Sequence, residues 1–129
     1  MRLLLDTNIL VPMADGRGRQ MPSWVTDTVH DDDAHLYASV ASIWEVAIKH
    51  RLGKLPLPCP LEDWPAVMTT LNISVLTVRS AHVIQLVEPP PPVRDPFDRL
   101  LLAICAAEKI RLLTLDEKLL RHPLAWRPA

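Results

Sequence analysis

Arg2–Leu10, RLLLDTNIL, sets the frame in which the other segments are read. Its three consecutive leucines, Leu3–Leu5, make a short apolar run suited to a strand buried on both faces, as strands of parallel sheets are. The polar trio Asp6, Thr7 and Asn8 interrupts the run, and the apolar pattern resumes at Ile9. A carboxylate at the end of a buried strand has two explanations. As a helix cap, Asp6 accepts hydrogen bonds from the free amides of a first turn. As a ligand group, it stands where open α/β sheets bind, at the carboxyl end of a strand. The stretch alone leaves both open.

The chain has 129 residues, the size of one ordinary domain, and can bury a core without disulfide staples. Its 49% hydrophobic and 22% charged residues match a soluble globular class. A net charge of −1 gives no general attraction for nucleic acid, so any such role rests on local charge or on a metal. Cys59 and Cys105 have no CxxC spacing, and Cys105 lies in an apolar run that reads as core. No disulfide framework is expected, which favours a reducing cytosol and a cytoplasmic location. The first leucine run is too short for a signal peptide, and no stretch is long enough to span a membrane. The 13 prolines gather at Pro56–Pro65 and Pro89–Pro96, where they punctuate the fold.

After Leu3–Leu5, a short helix is expected over Ile9–Ala14, ending near Gly16 and Gly18, and a second from Pro22 to about His30 with Trp24, Val25 and Val29 inward. HDDDAH, His30–His35, matches no metal-ligand template and reads as a solvated turn before a strand at Leu36–Ala38. Ser39–Leu55 is a helix, with Ser39 or Ser42 as its cap, Gly53 as its stop and basic residues in its last turns. Further helices are expected at Leu61–Leu71 and Ala81–Val87, with a third strand at Ile73–Thr77 between them. Pro89–Pro92 can only be an extended linker. DPFDRLLLAICAAEK then reads as a buried helix, and IRLLTLD as a fourth strand. This alternation, without internal repeats, predicts a single domain with a parallel sheet sandwiched by helices.

Four acids fall where a strand gives way to a helix: Asp6, Glu45, Asp98 and Asp116. A parallel sheet brings them to one edge. Each also has a plain structural explanation. Glu45 stands four residues before Lys49, an ordinary helix-surface pair. Asp95, Pro96 and Asp98 fit a cap, an N1 proline and a capping-box acid. Asp116 can cap a final short helix. Yet Ile43, Trp44, Val46, Ala47 and Ile48 leave Glu45 little exposed face, and Asp98 opens a helix apolar nearly all round. Buried carboxylates need a partner, and converging ones repel unless a cation neutralises them. All-oxygen ligation without a His or Cys framework suits Mg²⁺ or Mn²⁺.

LLLDTNIL, ASIWEVAIKHRLGKLPLP, DPFDRLLLAICAAE and LLTLDEKL, in this order and spacing, resemble the PIN-domain family, and more narrowly its VapC-type toxins. The resemblance runs from Arg2 to about Trp126. It implies a parallel sheet flanked by helices and metal-dependent hydrolysis of RNA phosphodiester bonds as the toxin of a type II toxin–antitoxin pair. The family's catalytic, metal-binding acids fall on Asp6, Glu45, Asp98 and Asp116, with Mg²⁺ or Mn²⁺ as cofactor. Asn8 matches a polar position that orients the first acid, and Thr114 a small hydroxyl position near the metal. Two segments depart from the pattern: Pro12 lies in the first helix, and PPPPVR replaces a segment that often bears histidine.

None of the five histidines is required by this chemistry. RNA contacts are expected from the basic end of the third helix, Lys49, His50, Arg51 and Lys54, with Arg99, Arg94, Arg17 and Arg19 as additions. Single-stranded or loop RNA is the expected substrate, since sequence is readable there. The resemblance also implies a homodimer and a cognate antitoxin that inserts a basic side chain among the carboxylates. Other readings are a housekeeping PIN nuclease, a catalytically silent module on the same fold, and a haloacid-dehalogenase-like phosphatase. The last needs a second Asp two residues after Asp6, where this chain has Asn8.

Overall fold

The structure is a computed structural model and describes residues 1–128. Four strands, β1 (Arg2–Leu5), β2 (His35–Ser39), β3 (Ile73–Leu76) and β4 (Arg111–Leu113), form one sheet of order β3-β2-β1-β4. Every pairing is parallel. The helices are α1 (Thr7–Ala14), α2 (Ser23–Val29), α3 (Val40–Arg51), α4 (Trp64–Thr70), α5 (Ser80–Val83), α6 (Pro96–Glu108) and α7 (Glu117–Leu120).

The leucine run of β1 shows why the sheet is covered on both sides. Leu3, Leu4 and Leu5 are all fully buried. Because alternate residues of a strand face opposite ways, Leu3 and Leu5 enter one core and Leu4 the other. The first core joins Leu3 and Leu5 to Ile9 and Leu10 of α1, Val25 of α2, Val46 of α3, and Trp64 and Met68 of α4. The second joins Leu4 to Leu101, Leu102, Ile104 and Cys105 of α6, Leu112 of β4 and Leu119 of α7. Both cysteines are free thiols, and burial pushes the Cys105 thiol well above its ordinary value. No helix among the described residues is long and apolar enough to cross a membrane.

Local signals place most element ends. Ser39 caps α3 by accepting from the Ala41 N–H at 3.0 Å. The helix stops at Arg51, short of Leu55, and Gly53 turns the chain at φ +72°, a conformation glycine adopts without a Cβ penalty. The helix expected over Ala81–Val87 is a single turn, Ser80–Val83. Only His82 of that turn is buried, while Ile84, Gln85 and Leu86 face solvent, so no apolar face extends toward the prolines. The His82 Nε2 instead meets Glu108 Oε1 at 2.6 Å and ties the turn to α6. Trp44 is also a correction: it is 60% exposed, with its ring edge-to-face on Phe97. The buried face of α3 runs through Ala41, Ser42, Glu45 and Val46, which leaves Trp44 outside. The fourth strand ends at Leu113, so Thr114 and Asp116 lie beyond the sheet.

Candidate active site

The chain leaves β1 for β2 on one side and reaches β4 on the other, so the strand order switches at β1. A switch point opens a crevice beyond the carboxyl end of the strand, because successive connections diverge from it. Asp6 is the first residue of that crevice. Its backbone N–H extends the β1–β4 pairing by donating to the Leu113 carbonyl at 2.9 Å. The residue is 4% exposed. Oδ1 accepts from the Thr7 N–H at 2.7 Å, and Oδ2 accepts from the Thr114 hydroxyl at 2.6 Å. A helix cap ordinarily serves the second or third amide. Asp6 serves only the first, so it caps α1 at the margin and gives its other oxygen to the β4 side of the crevice.

Glu45 comes from α3, the connection on the β2 side. It is 5% exposed, and two donors offset that burial. The Thr7 hydroxyl donates to Oε1 at 2.7 Å, and Lys49 Nζ lies 2.8 Å from Oε2. The expected Glu45–Lys49 pair therefore exists, but at the crevice and not on a remote surface. On α6, Asp95 caps the helix by accepting from the Phe97 N–H at 2.8 Å. Asp98 does not complete a capping box, and its carboxyl lines the pocket instead. Asp116 caps α7 by accepting from the Lys118 N–H at 2.8 Å, and it lines the same pocket.

Thr114 is fully buried and joins these parts. Besides donating to Asp6, its hydroxyl accepts from the Asp116 N–H at 3.0 Å. Asn8 acts one step away: its Oδ1 accepts from the Leu115 N–H at 3.3 Å, and its Nδ2 lies 3.5 Å from the Thr114 hydroxyl. Sequence reasoning missed Thr7 as the link between Asp6 and Glu45, and it treated Asp95 only as a cap. Thr7 carried a faint signal as a hydroxyl next to the first acid.

The resulting pocket has a volume of about 440 Å³ and is lined by five carboxyls, Asp6, Glu45, Asp95, Asp98 and Asp116, against one ammonium, Lys49. This imbalance shows in protonation. Burial pushes the Asp6 carboxyl above its ordinary value against the pull of its two hydrogen bonds, and the Glu45 and Asp116 charges add to the rise. Burial, followed by the charges of Asp6, Asp95, Glu45 and Asp116, pushes Asp98 up to about 7. An oxygen-only donor set with surplus negative charge fits a hard divalent cation such as Mg²⁺ or Mn²⁺. Among the described residues, however, no three His, Cys, Asp or Glu side chains converge on one metal-binding point as they are placed. A second groove, about 490 Å³ and lined by Val83, Leu86, Val87, Pro90, Pro96 and Leu100, is mainly apolar and gathers no comparable set of acids.

Of the basic residues expected near the site, only Lys49 lines the acidic pocket. Arg51, in the last turn of α3, and Lys54, just beyond it, are exposed, and Arg99 borders the apolar groove. Arg17 is engaged by Asp15.

Comparison with known proteins agrees with this architecture. Over 55 residues the chain is 44% identical to Ribonuclease VapC16 of Mycobacterium tuberculosis, covering 42% of this chain and 39% of that protein. The match thus spans about two fifths of that relative's length. The fold is similar to the crystal structure of VapBC2 from Rickettsia felis bound to a DNA fragment from their promoter, with a TM-score of 0.62 and 16% identity, covering 97% of this chain and 96% of that one. The PIN domain family matches residues 3–123, from the first buried leucine of β1 to just past α7. With the switch-point crevice and its acids inside that span, the chain belongs to the PIN domain family.

Proposed function

We propose that this chain is a metal-dependent endoribonuclease that hydrolyses RNA phosphodiester bonds as the toxin of a type II toxin–antitoxin pair. The observation that carries the proposal is the crowding of five carboxyls around one open pocket, where burial first and the neighbouring charges second push Asp98 up to about 7. A purely structural cluster gains nothing from such repulsion, whereas a cation site requires it. The relative named Ribonuclease VapC16 supports RNA as substrate, and the VapBC2 complex supports an antitoxin as partner.

In this proposal Asp6, Glu45 and Asp98 are the principal ligands of Mg²⁺ or Mn²⁺, and Asp116 completes the set directly or through water. The divalent ion supplies activation of a water nucleophile near neutral pH and stabilisation of charge on the attacked phosphate. The chain's own residues prepare the site. Thr7 and Thr114 fix the two oxygens of Asp6, so its orientation is set before any ligand arrives. Asn8 and the Asp116 N–H hold Thr114 in turn. Lys49 offers a positive charge to the RNA backbone at the pocket, while Arg51, Lys54 and Arg99 act farther along it. The antitoxin inhibits by placing a basic side chain among the same carboxylates, and the toxin acts as a homodimer.

The test is cleavage of a single-stranded RNA in excess chelator, followed by addition of Mg²⁺ or Mn²⁺. Cleavage should vanish and return. Unchanged cleavage in chelator would overturn the metal mechanism.

A further inference from the structure

Among the described residues, Lys49 is the only cation lining the acidic pocket. Its spacing from Glu45 is that of a weak pair on a helix surface. The geometry is different. The side chain of its partner Glu45 is buried, at 7% exposure, while the lysine side chain keeps 48% of its own. The ammonium therefore reaches from the pocket mouth to a carboxylate inside, at 2.8 Å. The charges of Asp95 and Asp98 act on it along with that of Glu45. Glu45 has both oxygens engaged, one by the Thr7 hydroxyl and one by Lys49, in a pocket where no three acids converge.

An internal cation thus offsets a carboxylate inside an acidic pocket. We propose that Lys49 is a tethered counter-cation that competes with the divalent ion for Glu45 and, once displaced, turns its ammonium to the RNA phosphate. The inference rests on the metal-dependent reading of the pocket. Lysine suits both tasks, because its ammonium is a compact charge with three donors on a flexible stem. While Lys49 holds Glu45, part of the repulsion among the acids is relieved. When it lets go, its stem keeps the charge at the same pocket, where a phosphodiester is the complementary anion.

The test uses Lys49→Gln and Lys49→Arg in the full chain, beside wild type and Asp6→Asn. Mn²⁺ is titrated without RNA, by calorimetry and by the rise in melting temperature that binding to the native state produces. Lys49→Gln should melt below wild type in chelator yet bind Mn²⁺ more tightly, on the order of tenfold for one charge removed beside a divalent ion. Lys49→Arg keeps the charge and should stay near wild-type Mn²⁺ affinity. At saturating Mn²⁺, Lys49→Gln should raise KM for single-stranded RNA. A merely structural pair predicts the opposite sign, lower stability with equal or weaker Mn²⁺ binding, and that result overturns the proposal. Tighter Mn²⁺ binding with unchanged KM removes the phosphate role. If Asp6→Asn binds Mn²⁺ as well as wild type, the metal reading of the pocket fails and the competition with it; weaker binding by Asp6→Asn together with unchanged binding by Lys49→Gln overturns the competition alone.

Discussion

Replacing Asp6 by Asn keeps its size and removes its charge. The carboxylate accepts two hydrogen bonds, 2.7 Å from the Thr7 N–H and 2.6 Å from the Thr114 hydroxyl, and the residue is 4% exposed. An amide has one oxygen, so it can accept only one of them. Its NH₂ group then faces the other donor, and the Thr114 oxygen already accepts from the Asp116 N–H. The lost charge-assisted bond costs about 1.5–3 kcal/mol. Against this, the burial and repulsion that raise the Asp6 carboxyl disappear, which opposes the loss. The two oppose each other, so the melting temperature in chelator should fall by no more than the hydrogen-bond loss alone implies, about 10 °C. Cleavage behaves differently. Loss of the central ligand should remove about 4 kcal/mol of transition-state stabilisation, a rate loss of about 10³-fold. If Asp6 were only a cap, Asn would serve almost as well and both properties would survive. The assay pairs thermal melting with initial rates on a single-stranded RNA in Mn²⁺. Activity within about threefold of wild type, far inside the 10³-fold loss expected, would refute the ligand role.

Thr114→Val keeps nearly the same shape but deletes the donor to Asp6 and the acceptor for the Asp116 N–H, and should lower the melting temperature by roughly 5–10 °C. An unchanged melting curve would show that the buried hydroxyl organises nothing. Asp98 sets a pH dependence. Its folded value of about 7 lies above its unfolded value, so between about pH 4 and 7 the native state holds the extra proton, and stability falls as pH rises through that window. Metal-free wild type should therefore lose stability relative to Asp98→Asn from pH 4 to 7, read as the difference in melting temperature. A difference flat with pH contradicts the raised carboxyl.

The sheet was legible because its signals are simple. A run of leucines and alternating strands and helices require both faces to be covered, and β1 feeds both cores. Asp6 and Asp116 stood out because each follows a strand, and Glu45 and Asp98 because each lies on an apolar helix; α6 follows α5 and the proline linker, not a strand, and the pocket is lined by all four together with Asp95. What could not be read is which way side chains turn within an element. Trp44 and Glu45 are adjacent on α3, and only the packing of the helix decides that the carboxylate is buried and the indole exposed. Glu45 and Lys49 have the same spacing on a solvated face as in a crevice. The alternatives for Asp6 and Asp116, cap or pocket residue, also proved to be no true choice. Each carboxylate serves a helix amide and lines the pocket. The Ala81–Val87 helix failed for a different reason: one buried residue, His82, anchors a turn but cannot extend it.

The most direct test of the account is anomalous diffraction from crystals of the wild-type chain soaked in Mn²⁺. The account predicts a peak in the acidic pocket in contact with the carboxylates of Asp6 and Asp98, with Glu45 turned from Lys49 toward the ion. No peak there at saturating Mn²⁺, with Glu45 still held by Lys49 and Thr7, would contradict it.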